Sequence, residues 1–358
     1  MARQVTENAV ALRSYTEERR FPRHGLWVGM LTMALLVAIV VSLGVGAVDV
    51  PAKKLVLALL GGDSLPADQR VIVLSVRLPR ILAAALVGSA LSVSGLLFQG
   101  LFRNPLADPY VIGSSGGAVL GASVGVFLLS SVTVAGFGAT ALLGFLGALC
   151  SILLVYALAR VHGRTPVVTL LLAGFAVSTM LSYSSYLLEV LDRDFGTGLR
   201  VLASWLHRTI GQPTWGQLII VTIMLALGFA ASIPLAHRLN TLSLGEEYAT
   251  HLGIRVQQTR IAIIVIGSLL TAAAVALGGL ISFVGLVVPH MMRMVLGPNH
   301  TRLLPATALA GALFLLLADT AARTIIAPAE LSVGVLTAFI GGPFFLYLLR
   351  KTKQETLL

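Results

Sequence analysis

The sequence predicts an all-α polytopic membrane protein with ten transmembrane helices. Two observations carry that fold class: 57% of the 358 residues are hydrophobic and only 11% charged, with a mean hydropathy of +0.93, where soluble chains carry about 25% charged residues. A third is the single long polar break in the second half, HRLNTLSLGEEYATHLGIRVQQTR. A bilayer core about 30 Å thick takes about 20 apolar residues per helix, so the spans are read from the gaps between charges.

Residues 26–48 give the first span. Arg19, Arg20 and Arg23 precede it and small residues end it, as in a signal peptide, but the apolar run exceeds the roughly 7–15 residues of a signal core. Residues 81–102, bounded by Arg80 and Arg103, give the second. Residues 109–159 hold no charge and exceed one crossing, so they fold into a third and a fourth helix meeting near 130–138. The fifth covers 165–188, and the sixth 209–236, starting near Trp215 after Gly211 and Pro213. Next comes the polar break, with two short helix-like pieces hinged at Gly245. Residues 261–292 are interrupted at Gly278 and Gly279, giving a seventh span and a shorter eighth that ends at Pro289 and His290. Residues 303–318 and 331–349 supply the last two. The organisation is a polar tail 1–23, one membrane domain 24–350 with a projection at 239–256, and a tail 351–358.

Cytoplasmic loops collect Lys and Arg. With the N-terminus inside, 16 of the 25 basic residues lie inside. The outer nine are Lys53, Lys54, Arg70, Arg77, Arg80, Arg193, Arg200, Arg208 and Arg323. That excess of outer arginines asks for a cause of its own.

Composition also excludes chemistry. A charge of +10 in a membrane chain reflects cytoplasmic loops, and no basic face interleaved with aromatics points to nucleic acid. Cys150 stands alone, so the chain builds no disulfide framework and no cysteine metal site. The seven histidines form no HExxH and no pair four apart, and a metal site is not expected. No GxxxxGK[ST] loop occurs, so nucleotide phosphates have no P-loop here. No catalytic constellation is visible. Glu189, Asp319 and Glu330 fall at helix ends, which counts against an ion-coupled carrier with midplane carboxylates.

Within the spans, Gly113, Gly117, Gly121 and Gly125 clear one face of the third helix, for close packing or for a glycine-lined path. Ser182, Tyr183, Ser184, Ser185 and Tyr186 place a polar cluster at membrane depth, which either lines a cavity or bonds between helices. Tyr183, Ser184 and Tyr186 are the path candidates.

The segments RLPRILAAALVGSALSVSGLLFQGLFRNPLADPYVIGSSGGAVLGA, LGEEYATHLGI, GLISFVGLVVPHMMR and LLADTAARTIIAPAELSVGVLTAFIGGPFFLYLLR resemble the FecCD-type permeases over residues 78–350. These are the membrane subunits of bacterial ABC importers for iron-siderophores, haem and cobalamin. The resemblance implies a type II importer architecture in the bacterial inner membrane with both termini cytoplasmic. It implies as partners a second permease copy, two ABC ATPase subunits and an external substrate-binding protein. This chain would bind no cofactor, with ATP and Mg held by the ATPases. An ion-coupled carrier without an ATPase is the alternative.

By that resemblance, Leu244, Gly245, Glu246, Glu247, Ala249, Leu252 and Gly253 form the coupling helices that enter a groove on the ATPase. Arg77, Arg80 and Arg323 match positions that face acidic residues of the binding protein. From the residues alone, Arg77 and Arg80 also fit an interfacial anchor, and Arg323 an internal pair with Asp319 four residues before it. Asn104, Leu106 and Thr165 align with an inner gate, and equally with caps and turns; Asp108 is a helix cap. The stretch Trp205-Leu206-His207-Arg208-Thr209 departs from the glycine-rich family pattern. His207 and Arg208 either contact an anionic chelate or rim the outer mouth. The identity of the chelate is not legible, and an iron chelate is preferred.

Overall fold

In lipid, a helix satisfies every backbone donor and acceptor within its own segment, and the apolar runs accordingly fold as helices. A computed structural model describes residues 24–46, 66–129, 131–160, 165–191, 202, 210–327 and 329–356. In chain order the helices are α1 (His24–Gly44), α2 (Ala67–Phe102), α3 (Ser115–Leu128), α4 (Ala139–Ala159), α5 (Val167–Leu191), α6 (Trp215–Ser243), α7 (Glu246–His251), α8 (Val256–Gly278), α9 (Val284–Leu296), α10 (His300–Thr324) and α11 (Val333–Thr356). Among the described residues, α1, α2, α4, α5, α6, α8 and α10 are long and apolar enough to cross a membrane. Three shorter apolar helices, Ile112–Leu128, Val284–Leu296 and Val333–Leu348, stand at the other three predicted spans. At 1.5 Å per residue α9 is about 20 Å long, short of the bilayer core. The seven long spans thus stand on length, and the count of ten rests on these three.

Helix α2 is the centre of the bundle, with 78% of its most apolar window buried against 17% for the peripheral α1. It packs on α10, α8, α9 and α6. Small residues permit the contact: a Cβ on Gly88 would sit 2.1 Å from Gly311 O of α10, and one on Gly95 1.9 Å from Gly285 O of α9. The backbones touch where no side chain intervenes. The α3–α4 crossing works the same way, since a Cβ on Gly117 would meet Gly147 O at 2.1 Å and one on Gly121 Leu143 O at 1.9 Å. The glycine face is therefore a packing face at Gly117, Gly121 and Gly125. Gly113 serves differently, taking φ 114° at a kink within the π-helical segment Tyr110–Ser114 that leads into α3.

Three boundaries depart from the sequence expectation. Helix α2 begins at Ala67, running through Arg70, Arg77 and Arg80 with a π-helical stretch at Ile72–Arg77. Helix α6 does not stop at residue 236 but passes Pro234 and continues to Ser243, so the first of the two expected pieces of the polar projection is the end of a span. Its start is fixed by a capping box, in which Thr214 Oγ1 accepts from Gln217 N and Gln217 Oε1 from Thr214 N. Helix α9 likewise runs through Pro289 to Leu296. A two-residue ribbon, Thr133 opposite Gly138 and Val134 opposite Phe137, turns the chain between α3 and α4 where the sequence places the connection.

Candidate functional site

Three polar or open features stand out: the projecting hairpin, a groove beside the kink before α3, and an arginine cluster at the opposite end of α2. The hairpin is made by Gly245, whose φ of 130° and ψ of 149° turn the chain between α6 and α7. Such backbone is open in practice only to glycine. Ala249 is fully buried against the bundle, and Arg260 of α8 pairs with Glu246. Gly253, at φ 80°, ends α7 as Gly253 N donates to Thr250 O and Ile254 N to Ala249 O. Three large apolar side chains stand outward among its exposed residues: Leu244, Tyr248 and Leu252 are 66, 68 and 67% exposed. Tyr248 lies on α7 and Leu252 just after it, while Leu244 ends α6 on the other side of the Gly245 turn. The sequence expectation omits Tyr248, although its spacing from Leu244 and Leu252 is the signal that identifies it. Glu247 is exposed as well.

The groove has a volume of about 610 Å³ and is lined by Asn104, Leu106, Asp108, Tyr110 and Ser115, by Leu171, Gly174, Phe175 and Ser178 of α5, and by Ser282, Phe283, Leu286 and Phe345. Phe283 caps α9 in the left-handed region at φ 69°, a strained setting for a non-glycine residue. Asn104 Oδ1 accepts from Leu106 N at 3.0 Å and Asp108 Oδ1 from Tyr110 N at 2.8 Å, so both side-chain oxygens organise the turn that builds the rim. Thr165 is not in this groove. It lines a separate cavity of about 210 Å³ with Arg103, Tyr156, Glu246 and Arg260, next to the hairpin. Its hydroxyl is buried with no partner among the described residues. The three expected gate residues are thus split between two sites.

The path candidates on α5 lie elsewhere again. Tyr183 and Tyr186 are exposed, and Ser184 Oγ donates to Met180 O of its own helix. Ser185 is the member of that cluster that bonds between helices, to Ser123 of α3. The part of α5 that lines the groove is one to four turns earlier, at Leu171, Gly174, Phe175 and Ser178. His207 and Arg208 lie outside the described residues.

At the far end of α2, the outer arginines are turned inward. Arg77 is buried and donates to Leu43 O at 2.8 Å at the end of α1. Arg80, also buried, donates from Nε and NH2 to Asp319 Oδ1 at 3.2 and 3.0 Å, and from NH1 to both oxygens of Glu330 at 3.1 and 3.0 Å. Arg323 donates to Ser42 Oγ at 2.8 Å, and its Nε lies 3.1 Å from Asp319 Oδ2, an ionic contact without hydrogen-bond alignment. A guanidinium out of water must be paired, and here Arg323 meets Asp319 as their spacing allows, while Arg77 and Arg80 are buried and paired. The exposed charge of the cluster is Glu330, at 42% side-chain exposure.

A bundle of apolar helices, seven of them among the described residues long and apolar enough to cross a membrane, around an open groove is the build of an integral membrane protein, and the relatives below are transport permeases. The chain belongs to the FecCD transport family, whose profile matches residues 34–351. The cobalamin import system permease protein of Halobacterium salinarum is 44% identical over 82% of this chain and 77% of its own length. The hemin transport system permease protein of Yersinia pestis is 38% identical over 91% of this chain and 97% of its own. A solved structure described as a metal-chelate type ABC transporter in an inward-facing conformation superposes with a TM-score of 0.77 and 32% identity, covering 90% of this chain and 98% of that one. Family and fold together make this chain an ABC-type permease that works with other subunits.

Proposed function

We propose that the chain is the membrane-spanning subunit of an ATP-driven importer that moves a preassembled metal chelate inward by alternating access. The observation that carries this reading is the three exposed apolar side chains of Leu244, Tyr248 and Leu252 about the Gly245 turn. Helix α6 is about 44 Å long, exceeding the bilayer core by about 14 Å, and exposed apolar side chains at its end fit the groove of a partner. The partner is an ATPase subunit, one for each of two permease copies, since the chain has no phosphate-binding loop.

Ten spans, with the short α3, α9 and α11 completed by their flanking turns, put both termini and the hairpin in the cytoplasm. The arginine cluster then faces outward, where an external binding protein docks, its carboxylates competing with Glu330 for Arg80. The cargo is a chelate of the haem, corrinoid or ferric-siderophore kind, with an iron chelate preferred. Support comes from the hemin permease relative and from a groove lined by Phe175, Phe283 and Phe345 with serines between.

Replacing Leu244, Tyr248 and Leu252 together by Asp is the test. The variant should insert normally, lose copurification with its ATPase and lose ATP-driven uptake. Uptake at the unsubstituted rate would refute the assignment.

A further inference from the structure

The hairpin is tied to the bundle at places that the proposed coupling does not itself explain. Two ties are local: Arg103, which caps α2, donates to Leu242 O, and Arg260 of α8 holds Glu246. The third crosses from α6 to α10. Asn240 Oδ1 accepts the backbone N–H of His300 at 2.8 Å, which fixes that atom as the oxygen, because a backbone N–H only donates. Asn240 Nδ2 then donates to Asn299 Oδ1 at 3.0 Å, and Asn299 is the N-cap of α10. The ring of His300 completes the clasp. Its Nδ1 lies 3.0 Å from the same Asn240 oxygen, so Nδ1 carries the proton.

His300 has no room to move independently. It is 7% exposed, and its Nε2 has no hydrogen-bond partner among the described residues. A Cβ on Gly100 of α2 would lie 2.6 Å from that nitrogen and 3.0 Å from Leu239 Cδ1 of α6. The imidazole is therefore wedged where α2, α6 and α10 meet, with one asparagine gripping both its ring and its backbone. Asn240 stands five residues before the Gly245 turn. Displacing the end of α6 that carries the hairpin must either drag the start of α10 or break three hydrogen bonds.

We infer that Asn240 and His300 form the joint that passes movement of the hairpin to α10, acting as positioning residues for transport. The inference rests on the proposed ATPase coupling. A joint that transmits motion shows itself in the ratio of cargo moved to ATP consumed, which a merely structural contact leaves unchanged.

The experiment uses the full complex with its ATPase and binding protein in proteoliposomes. Hemin, ferrichrome and cyanocobalamin are offered in turn, and uptake and ATP hydrolysis are measured together. With the cargo that the unsubstituted complex moves, N240A and H300A should retain the bound ATPase and its basal hydrolysis, while cargo per ATP falls about tenfold, inside the usual range of coupling between sites. H300N, whose side-chain N–H replaces Nδ1–H, should recover most of the ratio. N240A alters a half-buried residue and carries the test if H300A does not assemble. An unchanged ratio in N240A, or H300N no better than H300A, would overturn the joint while leaving the proposed function standing. An unsubstituted complex that moves none of the three cargoes with ATP would overturn the proposed function itself.

Discussion

Removing the Asp319 carboxylate should be among the most damaging single changes in this chain. Asp319 is 1% exposed and lies between Arg80 and Arg323, whose side chains are 8 and 9% exposed. In D319A, Arg80 keeps only Glu330, and Arg323 keeps the neutral hydroxyls of Ser42 and Thr320. Breaking a buried ion pair from one side costs about 3–5 kcal/mol, because the surviving charge stays buried without compensation. At about 1.4 kcal/mol per power of ten, that is about two to three and a half powers of ten in the unfolding equilibrium. E330Q removes a charge from a carboxylate that is 42% exposed, and solvent screening holds such a loss to about 1 kcal/mol or less. The assay is denaturant titration in micelles, with far-ultraviolet circular dichroism as the signal. The double variant D319L/R323M, which removes both charges and fills the space, should be more stable than D319A. D319A within 1 kcal/mol of the unsubstituted protein, or E330Q as damaging as D319A, would refute the reasoning.

At the α3–α4 crossing, G121A places a methyl 1.9 Å from the carbonyl of Leu143, and the helices must part at a cost of about 1–3 kcal/mol. The control is G25A, where nothing lies within 4 Å, and its unfolding midpoint in detergent should not fall. S185A removes an interhelical bond to Ser123, which keeps its own bond to Val119 O; the expected loss is about 0.6 kcal/mol, read from the same titration.

Much of the bundle was legible because an uncharged run of twenty residues has few alternatives in water or lipid. The errors came where polarity was taken to end a helix. HRLNTLS leaves the lipid but not the helix, since α6 needs no apolar residues to continue its hydrogen bonds past Ala236. Charges at Arg70, Arg77 and Arg80 hid the first turns of α2 for the same reason. Polarity marks exit from the bilayer, not exit from the helix.

The sites were legible to the extent that their partners are close in sequence. Asp319 and Arg323, four apart, are a pair that spacing alone proposes, and they meet. Arg80 finds Asp319 239 residues away and Glu330 250 residues away, a closure that no local pattern encodes. Asn104, Leu106 and Thr165 share an expected gate role but not a cavity, because the turn at residues 103–110 sends the first two toward Phe283 while Thr165 stays beside Arg260. On α5 the polar cluster drew attention to Tyr183 and Tyr186, whereas the groove takes the less conspicuous Gly174, Phe175 and Ser178.

The turn at Gly245 sets where the molecule can be held. Its dihedral angles admit no side chain without strain, so the bearing of the terminal knuckle relative to the membrane normal depends on one missing methyl group. A side chain at that position would leave the three exposed apolar residues unchanged in composition and redirect them. On the proposed coupling, a partner would therefore read an angle as much as a surface, and it is the angle that a single base change can spoil.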